Sequence, residues 1–283
     1  MTVSRTPPRS PSWTRSGGAG GADGDVDVDV DESHCPLIIA HRGASAIEPE
    51  NSLQAFRRAG QDGADGVELD VLQCGSGDVV VFHDDDLARL ADRPDRIAAL
   101  PLSAVRNVRL KSGASIPTLA EALEACGGSL LVNVELKAAG VTPSQVAALV
   151  DAVATTLDRA GEVVSARVLV SSFSPRAVAR WLRRSPRVRA GLLFEREAPL
   201  PLRRAWALPW LRPFSVHPES VLCTTAAVRR WHRRGYRVSV WTVDGAAALR
   251  QFADMGVDGI ITNDPARARA ALRDRAGTGS VNS

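Results

Sequence analysis

From residue 36 onward, short runs rich in Val, Ile and Leu alternate with longer stretches in which apolar residues recur at three- and four-residue intervals. The first pattern fits strands and the second fits amphipathic helices. Strands are expected at 37–41, 66–72, 130–135, 167–171, 190–193, 214–217, 237–243 and 259–262. Strands that alternate with helices build a parallel sheet wrapped by helices. Eight of them suit a closed sheet, so the expected fold class is α/β, a (β/α)8 TIM barrel.

Helix starts support this reading. Asn51 with Gln54, Thr118 with Glu121 and Thr142 with Gln145 have the spacing of capping boxes. Pro143, Pro175 and Pro265 each follow a capping Thr, Ser or Asp, where a missing N–H costs nothing. One connection is longer than the others. After a short apolar run at 79–82, a mostly irregular stretch at about 84–117 precedes the next capped helix, and it is expected to be a small insertion or lid after the second strand.

Composition sets the boundaries. The chain has 283 residues, 45% of them hydrophobic and 24% charged, enough for one large soluble domain. Residues 1–34 run from Ser, Gly, Pro and Arg into an acidic stretch at 23–32 and are expected to be a disordered tail. The acidic stretch lacks the glycine and terminal glutamate of a calcium loop. The barrel domain is expected at 35–274 and a second disordered tail at 275–283. A net charge of +3 makes no case for a nucleic-acid partner. Four scattered cysteines show no zinc or redox spacing, and no run approaches the ~18 apolar residues of a membrane span. A cytoplasmic protein is expected, with its oligomeric state left open.

In 67–71, Glu68 and Asp70 alternate with Val67, Leu69 and Val71, so both carboxylates face the same side of a strand. Two adjacent carboxylates facing a barrel interior need a cation, or must give up a charge, or must pair with Arg or Lys in a structural network. Asn133, Glu135 and Lys137 repeat the alternation at the end of another strand. Three carboxylates without cysteine suit a hard ion, Mg²⁺ or Ca²⁺. Lys137 beside that ion calls for an anion that joins them, and phosphate fits. His41 ends the first strand and Arg42 follows at the same rim, while His83 follows the run at 79–82. Two imidazoles make a general acid and a general base available. Arg42 offers a planar fork to phosphate oxygens, with a surface ion pair as its alternative.

Taken in order, His41-Arg42-Gly43, Pro49-Glu50-Asn51-Ser52, Glu68-Leu69-Asp70, His83-Asp84, Glu135-Leu136-Lys137, Trp241-Thr242-Val243 and Thr262-Asn263-Asp264-Pro265 resemble the motifs of the glycerophosphodiester phosphodiesterase family. The resemblance spans about 36–272. It implies a (β/α)8 barrel with an insertion after the second strand and one divalent cation at Glu68, Asp70 and Glu135. It also implies phosphate at Arg42 and Lys137, an acid and base pair at His41 and His83, and Trp241 as a wall of the substrate pocket. The implied reaction is metal-dependent hydrolysis of a small glycerophosphodiester to sn-glycerol 3-phosphate and an alcohol. The rivals are a lysophospholipase D or sphingomyelinase-D-like activity on the same barrel, and a noncatalytic phosphate-binding barrel. Asn51 is divided between helix cap and site contact. The arginines of 176–189 are expected on a solvated face. Trp206 and Trp210 in 203–214 are expected to pack inside, the alternative being an interfacial patch for lipid substrates.

Overall fold

The computed structural model describes Trp13, residues 35–138 and residues 140–278, with side chains given as far as 273. Among the described residues nine strands form one sheet: β1 (Leu37–His41), β2 (Gly66–Gln73), β3 (Val79–Val81), β4 (Leu131–Leu136), β5 (Val168–Ser172), β6 (Arg189–Phe194), β7 (Ser215–Pro218), β8 (Arg237–Val240) and β9 (Gly259–Thr262). All except β3 are parallel to their neighbours, in the order β1-β9-β8-β7-β6-β5-β4-β2, and β1 pairs with β2 to close the barrel. From Val71 on, β2 also pairs antiparallel with β3, and this hairpin carries the insertion.

The alternation read from the sequence sorts the side chains as expected. Val67, Leu69 and Val71 of β2, with Val132, Val134 and Leu136 of β4, point outward into the main core beneath the helices. Glu68, Asp70, Asn133 and Glu135 are also buried but belong to the opposite face, the barrel interior. Capping boxes start the helices Leu119–Ala125 and Pro143–Ala160 at Thr118 and Thr142. At Leu53–Gln61 the cap is Ser52, whose hydroxyl accepts from Ala55 N, so Asn51 is released from that task.

Several expectations need correcting. The insertion is mostly irregular as expected, yet it is not a bare loop: short helices at Ala88–Ala91 and Leu102–Arg106 enclose a small core of Leu72, Phe82, Leu87, Ile97, Val105 and Ile116. The penultimate barrel strand stops at Val240, short of 243. The last helix, Pro265–Thr278, continues past 274, and residues 279–283 lie outside the described residues. Trp206 and Trp210 do not pack inside. Their segment folds as two short helices, Leu200–Arg203 and Leu208–Leu211, with Pro201 and Pro209 near their starts, and it buries Ala205 and Leu208 while the two indoles face out.

Apart from Trp13, the expected tail at 1–34 lies outside the described residues. Trp13 itself belongs to the barrel. Its ring is buried with Ile39, Leu131, Leu169 and Ile261 of the interior, and its indole N–H donates to Arg167 O at 2.8 Å, just before β5. Trp13 thus closes the end of the barrel where the strands begin. Removing a buried indole forfeits its transfer energy and leaves a cavity, so Trp13→Ala should lower stability by about 3 kcal/mol in urea unfolding. An unchanged midpoint would show that Trp13 does not pack there.

Candidate active site

All barrel strands end at one mouth, and β2 with β4 supplies its acidic centre. Their register sets Asp70 opposite Glu135 and Glu68 opposite Asn133. Ligand oxygens of Glu68, Asp70 and Glu135 lie within 4.8 Å of one another, and all three residues are buried. Two cations answer this charge. Lys137 Nζ donates to Glu135 Oε1 at 2.6 Å and sits 2.9 Å from Asp70 Oδ1. Arg42 Nε lies 3.3 Å from Asp70 Oδ2, and Arg42 Nη1 donates to Glu50 Oε1 at 2.9 Å.

The loop after β1 is folded to make these contacts. Arg42 has φ 55° and Gly43 φ 81°, and a Cβ on Gly43 would stand 2.6 Å from the Ala55 side chain, so the chain can turn there only at glycine. The turn brings Arg42 N–H to Glu68 Oε2 at 3.0 Å. Asn51, also left-handed at φ 56°, clasps Asp70 twice: its amide donates to Oδ2 at 2.8 Å and its carbonyl accepts from Asp70 N at 3.2 Å. Glu68 Oε1 remains buried without a hydrogen-bond partner among the described residues.

Two relays orient the imidazoles. Asp244 Oδ2 accepts from Asn263 Nδ2 at 2.7 Å, which fixes the Asn263 amide with its oxygen toward His41. That oxygen also accepts from Ser45 Oγ, so His41 Nδ1 must carry the proton of its 2.8 Å bond. The other nitrogen of neutral His41 is then a bare acceptor, 3.9 Å from Glu68 Oε2. His83 Nδ1 meets Asp84 Oδ1 at 2.6 Å, so it too is the protonated nitrogen. Arg89 of the insertion holds this arrangement: Nε donates to Asp84 Oδ2 at 2.6 Å, and its two terminal nitrogens take Glu50 at 2.9 and 2.7 Å. A cleft of about 420 Å³ beside the cluster is lined by His41, Arg42, Ser45, Glu50, Asn263 and Arg267 among others. A larger depression of about 660 Å³ lies on the outer wall by Thr118, Glu124 and Arg159, away from this chemistry.

Residues 41–267 match the model of the glycerophosphoryl diester phosphodiesterase family. The chain belongs to that family. A glycerophosphodiester phosphodiesterase of Caldanaerobacter subterraneus is 32% identical over 239 residues, 81% of this chain and 94% of the relative. An Oleispira antarctica phosphodiesterase solved in complex with the product sn-glycerol 3-phosphate superposes with a TM-score of 0.76 at 26% identity, over 84% of this chain and 97% of that one. A glycerophosphodiester phosphodiesterase of Thermotoga maritima gives 0.66 at 26% identity, over 82% and 96%.

In this glycerophosphoryl diester phosphodiesterase family member seven of the eight residues singled out in the sequence gather at one rim. Trp241 stands somewhat apart, following the end of β8 with its half-buried ring edge-on to Phe173 at 5.5 Å and its N–H donating to His217 O. No role for Asp84, Arg89, Asp244 or Asn263 is legible in the sequence, although three of the four stand in or beside the quoted motifs, and Glu50 is divided with Asn51 between a turn before the helix and a site contact. Asp244 and Asn263 are 19 residues apart and Arg89 and Glu50 are 39 apart, separations over which no local periodicity carries a signal.

Burial dominates the electrostatics. It pushes Glu68 up to about 8, helped by the Asp70 charge, and pushes Glu135 up to about 8 against the pull of Lys137. Burial also works on Asp70, but Lys137 and Arg42 outweigh it and hold that carboxyl below its usual range. Both histidines are lowered, first by burial and then, for His41, by Arg42. A carboxyl raised on folding stabilises the fold while protonated and loses that contribution as pH rises through its folded value. Above about pH 7.5, a unit over the ordinary imidazole value, histidines lowered on folding are almost wholly neutral in both states. With chelator present, the melting temperature should therefore fall as pH rises from about 7.5 through about 8, and E68Q/E135Q should remove the slope. A flat profile for the unsubstituted chain would contradict the burial of these two carboxyls.

Proposed function

We propose that this chain hydrolyses glycerophosphodiesters to sn-glycerol 3-phosphate and an alcohol, with a divalent cation held at Glu68, Asp70 and Glu135. The convergence of these carboxylates with Lys137, Arg42 and two oriented imidazoles at one mouth carries the reading. The fit to a cation rests on the donor set and on Glu68 Oε1. All the ligands are oxygens, which suits Mg²⁺ or Ca²⁺, and a buried carboxylate oxygen without a partner is costly unless a cation takes it. When bound, the cation supplies positive charge to a phosphoryl oxygen.

The chain's own residues do the rest. Arg42 and Lys137 bind the nonbridging phosphate oxygens, so that charge growing on them during the reaction meets groups already in place. Lys137 is charged throughout the working pH range, since Glu135 and Asp70 overcome its burial and raise its proton affinity. Of His41 and His83, one is neutral and takes the proton of the attacking hydroxyl through its free nitrogen, while the other enters the step as imidazolium and gives the proton on its outer nitrogen to the departing alkoxide. The glycerol 2-hydroxyl attacks first, giving a cyclic phosphate and the free alcohol. Water then opens the ring to give sn-glycerol 3-phosphate. Asn263 and Asp84 keep each ring's inner nitrogen protonated, leaving the other free for this traffic.

The cleft also bears on the rival substrates. Its lining is polar or charged at every position except Ala46, which favours a water-soluble diester over a lysophospholipid with its acyl chain.

Glycerophosphocholine should be cleaved, cleavage should stop with chelator and return with Mg²⁺ or Ca²⁺, and lysophosphatidylcholine should react far more slowly. H83A should cut kcat by about 10²–10⁴-fold while leaving the melting temperature in place. Full turnover in chelator would remove the cation from the mechanism, and full turnover of H83A would remove His83.

A further inference from the structure

The flank of the barrel over β5 to β8 carries a charge pattern that the mouth does not use. These strands are consecutive neighbours in the sheet, so the segments that follow β5, β6 and β7 stand side by side on the outer wall. At 175–184, 199–212 and 224–236 they contain eleven arginines and no aspartate or glutamate. The acidic residues nearest in sequence, Glu195, Glu197 and Glu219, belong to loops beyond the strand ends at the mouth. Arg180 and Arg184 pair with Asp151 of the adjoining helix. The other nine are exposed and have no carboxylate partner among the described residues. A net charge of only +3 conceals this because the acids are collected elsewhere.

The middle segment adds apolar surface to the charge. Trp210 is 81% exposed and Trp206 54%, with Leu200 and Leu202 also exposed. Backbone bonds such as Arg203 N to Pro199 O and Arg212 N to Leu208 O wind 199–212 into two short helices joined by a turn, so these four exposed side chains belong to one compact segment. Isolated surface apolar residues are ordinary, but two exposed tryptophans among leucines and unpaired arginines form a contiguous feature that water alone does not favour.

We propose that this flank docks on an anionic phospholipid bilayer. Tryptophan settles at the headgroup level, leucine enters the acyl boundary and arginine pairs with lipid phosphates, so one segment supplies all three contacts. A second copy of the chain fits less well, since a twofold contact would set Arg203, Arg204 and Arg212 against their own like charges. Nucleic acid would use the arginines but gains nothing from Leu200 and Leu202. The chain leaves β6 at the mouth and Leu208 is held toward the far end, its carbonyl accepting from Tyr236 before β8. Docking by this flank therefore lays the barrel on its side, with the mouth open to solvent along the membrane surface.

Cosedimentation of the full chain with vesicles tests this directly. It should bind vesicles of equal parts phosphatidylcholine and phosphatidylglycerol and not phosphatidylcholine alone. R203S/R204S should weaken binding about 30-fold, and W206S/W210S should abolish it. The charge-matched pair R57S/R273S on the opposite side should leave it nearly unchanged. All three variants should keep the melting temperature and the hydrolysis of glycerophosphocholine. Failure to bind the anionic vesicles, or binding indifferent to the flank substitutions, would overturn the proposal. So would self-association or retention of an RNA oligonucleotide that depends on these same residues in place of vesicle binding.

Discussion

Confining three carboxylates to one buried spot is the constraint around which the mouth of this barrel is arranged. Glu68, Asp70 and Glu135 are brought together because β2 and β4 pair in parallel with Asp70 opposite Glu135, and a slip of one residue would turn Glu135 toward the helices. The closed sheet leaves no such slack, since β2 is also pinned to β1. Like charges this close cannot all persist unaided in a desolvated place. Lys137 and Arg42 offset part of the repulsion, and Glu68 and Glu135 retain protons in the absence of any further cation. A divalent ion at these three carboxylates, as proposed above, would take the place of those protons.

Around this centre, loops from separate parts of the chain are tied by directed hydrogen bonds. Asp244 acts on His41 through Asn263, and Arg89 acts on His83 through Asp84. Arg89 also reaches Glu50, which holds Arg42, so the insertion after β2 is anchored to the loop after β1 by charge-assisted bonds. The insertion has its own small core, which makes it a rigid support for His83 and Asp84 instead of a loose cover.

The parts legible in the sequence were those written in local periodicity. Alternation along 67–71 and 133–137 told which side chains share a face, and the structure puts those carboxylates inside. Capping spacing found the starts at Thr118 and Thr142 but misled at Asn51, because the same Asn-x-x-Gln spacing occurs where Ser52 takes the cap and Asn51 is turned by a positive φ toward Asp70. The long relays were invisible, since Asp244 and Asn263 become neighbours only when β8 and β9 pair. Trp13 gave no signal in a stretch without periodicity, and its fit depends on the space left among Ile39, Leu131, Leu169 and Ile261. The basic flank is likewise a product of strand order, which places three separate arginine-bearing segments side by side.

The ion site admits a direct look. Crystals grown with Mn²⁺ and sn-glycerol 3-phosphate should give one strong anomalous peak about 2.0–2.4 Å from an oxygen of each of Glu68, Asp70 and Glu135, with the phosphate bridging it to Lys137 and Arg42. A peak elsewhere, or phosphate bound with no ion at the three carboxylates, would contradict the account.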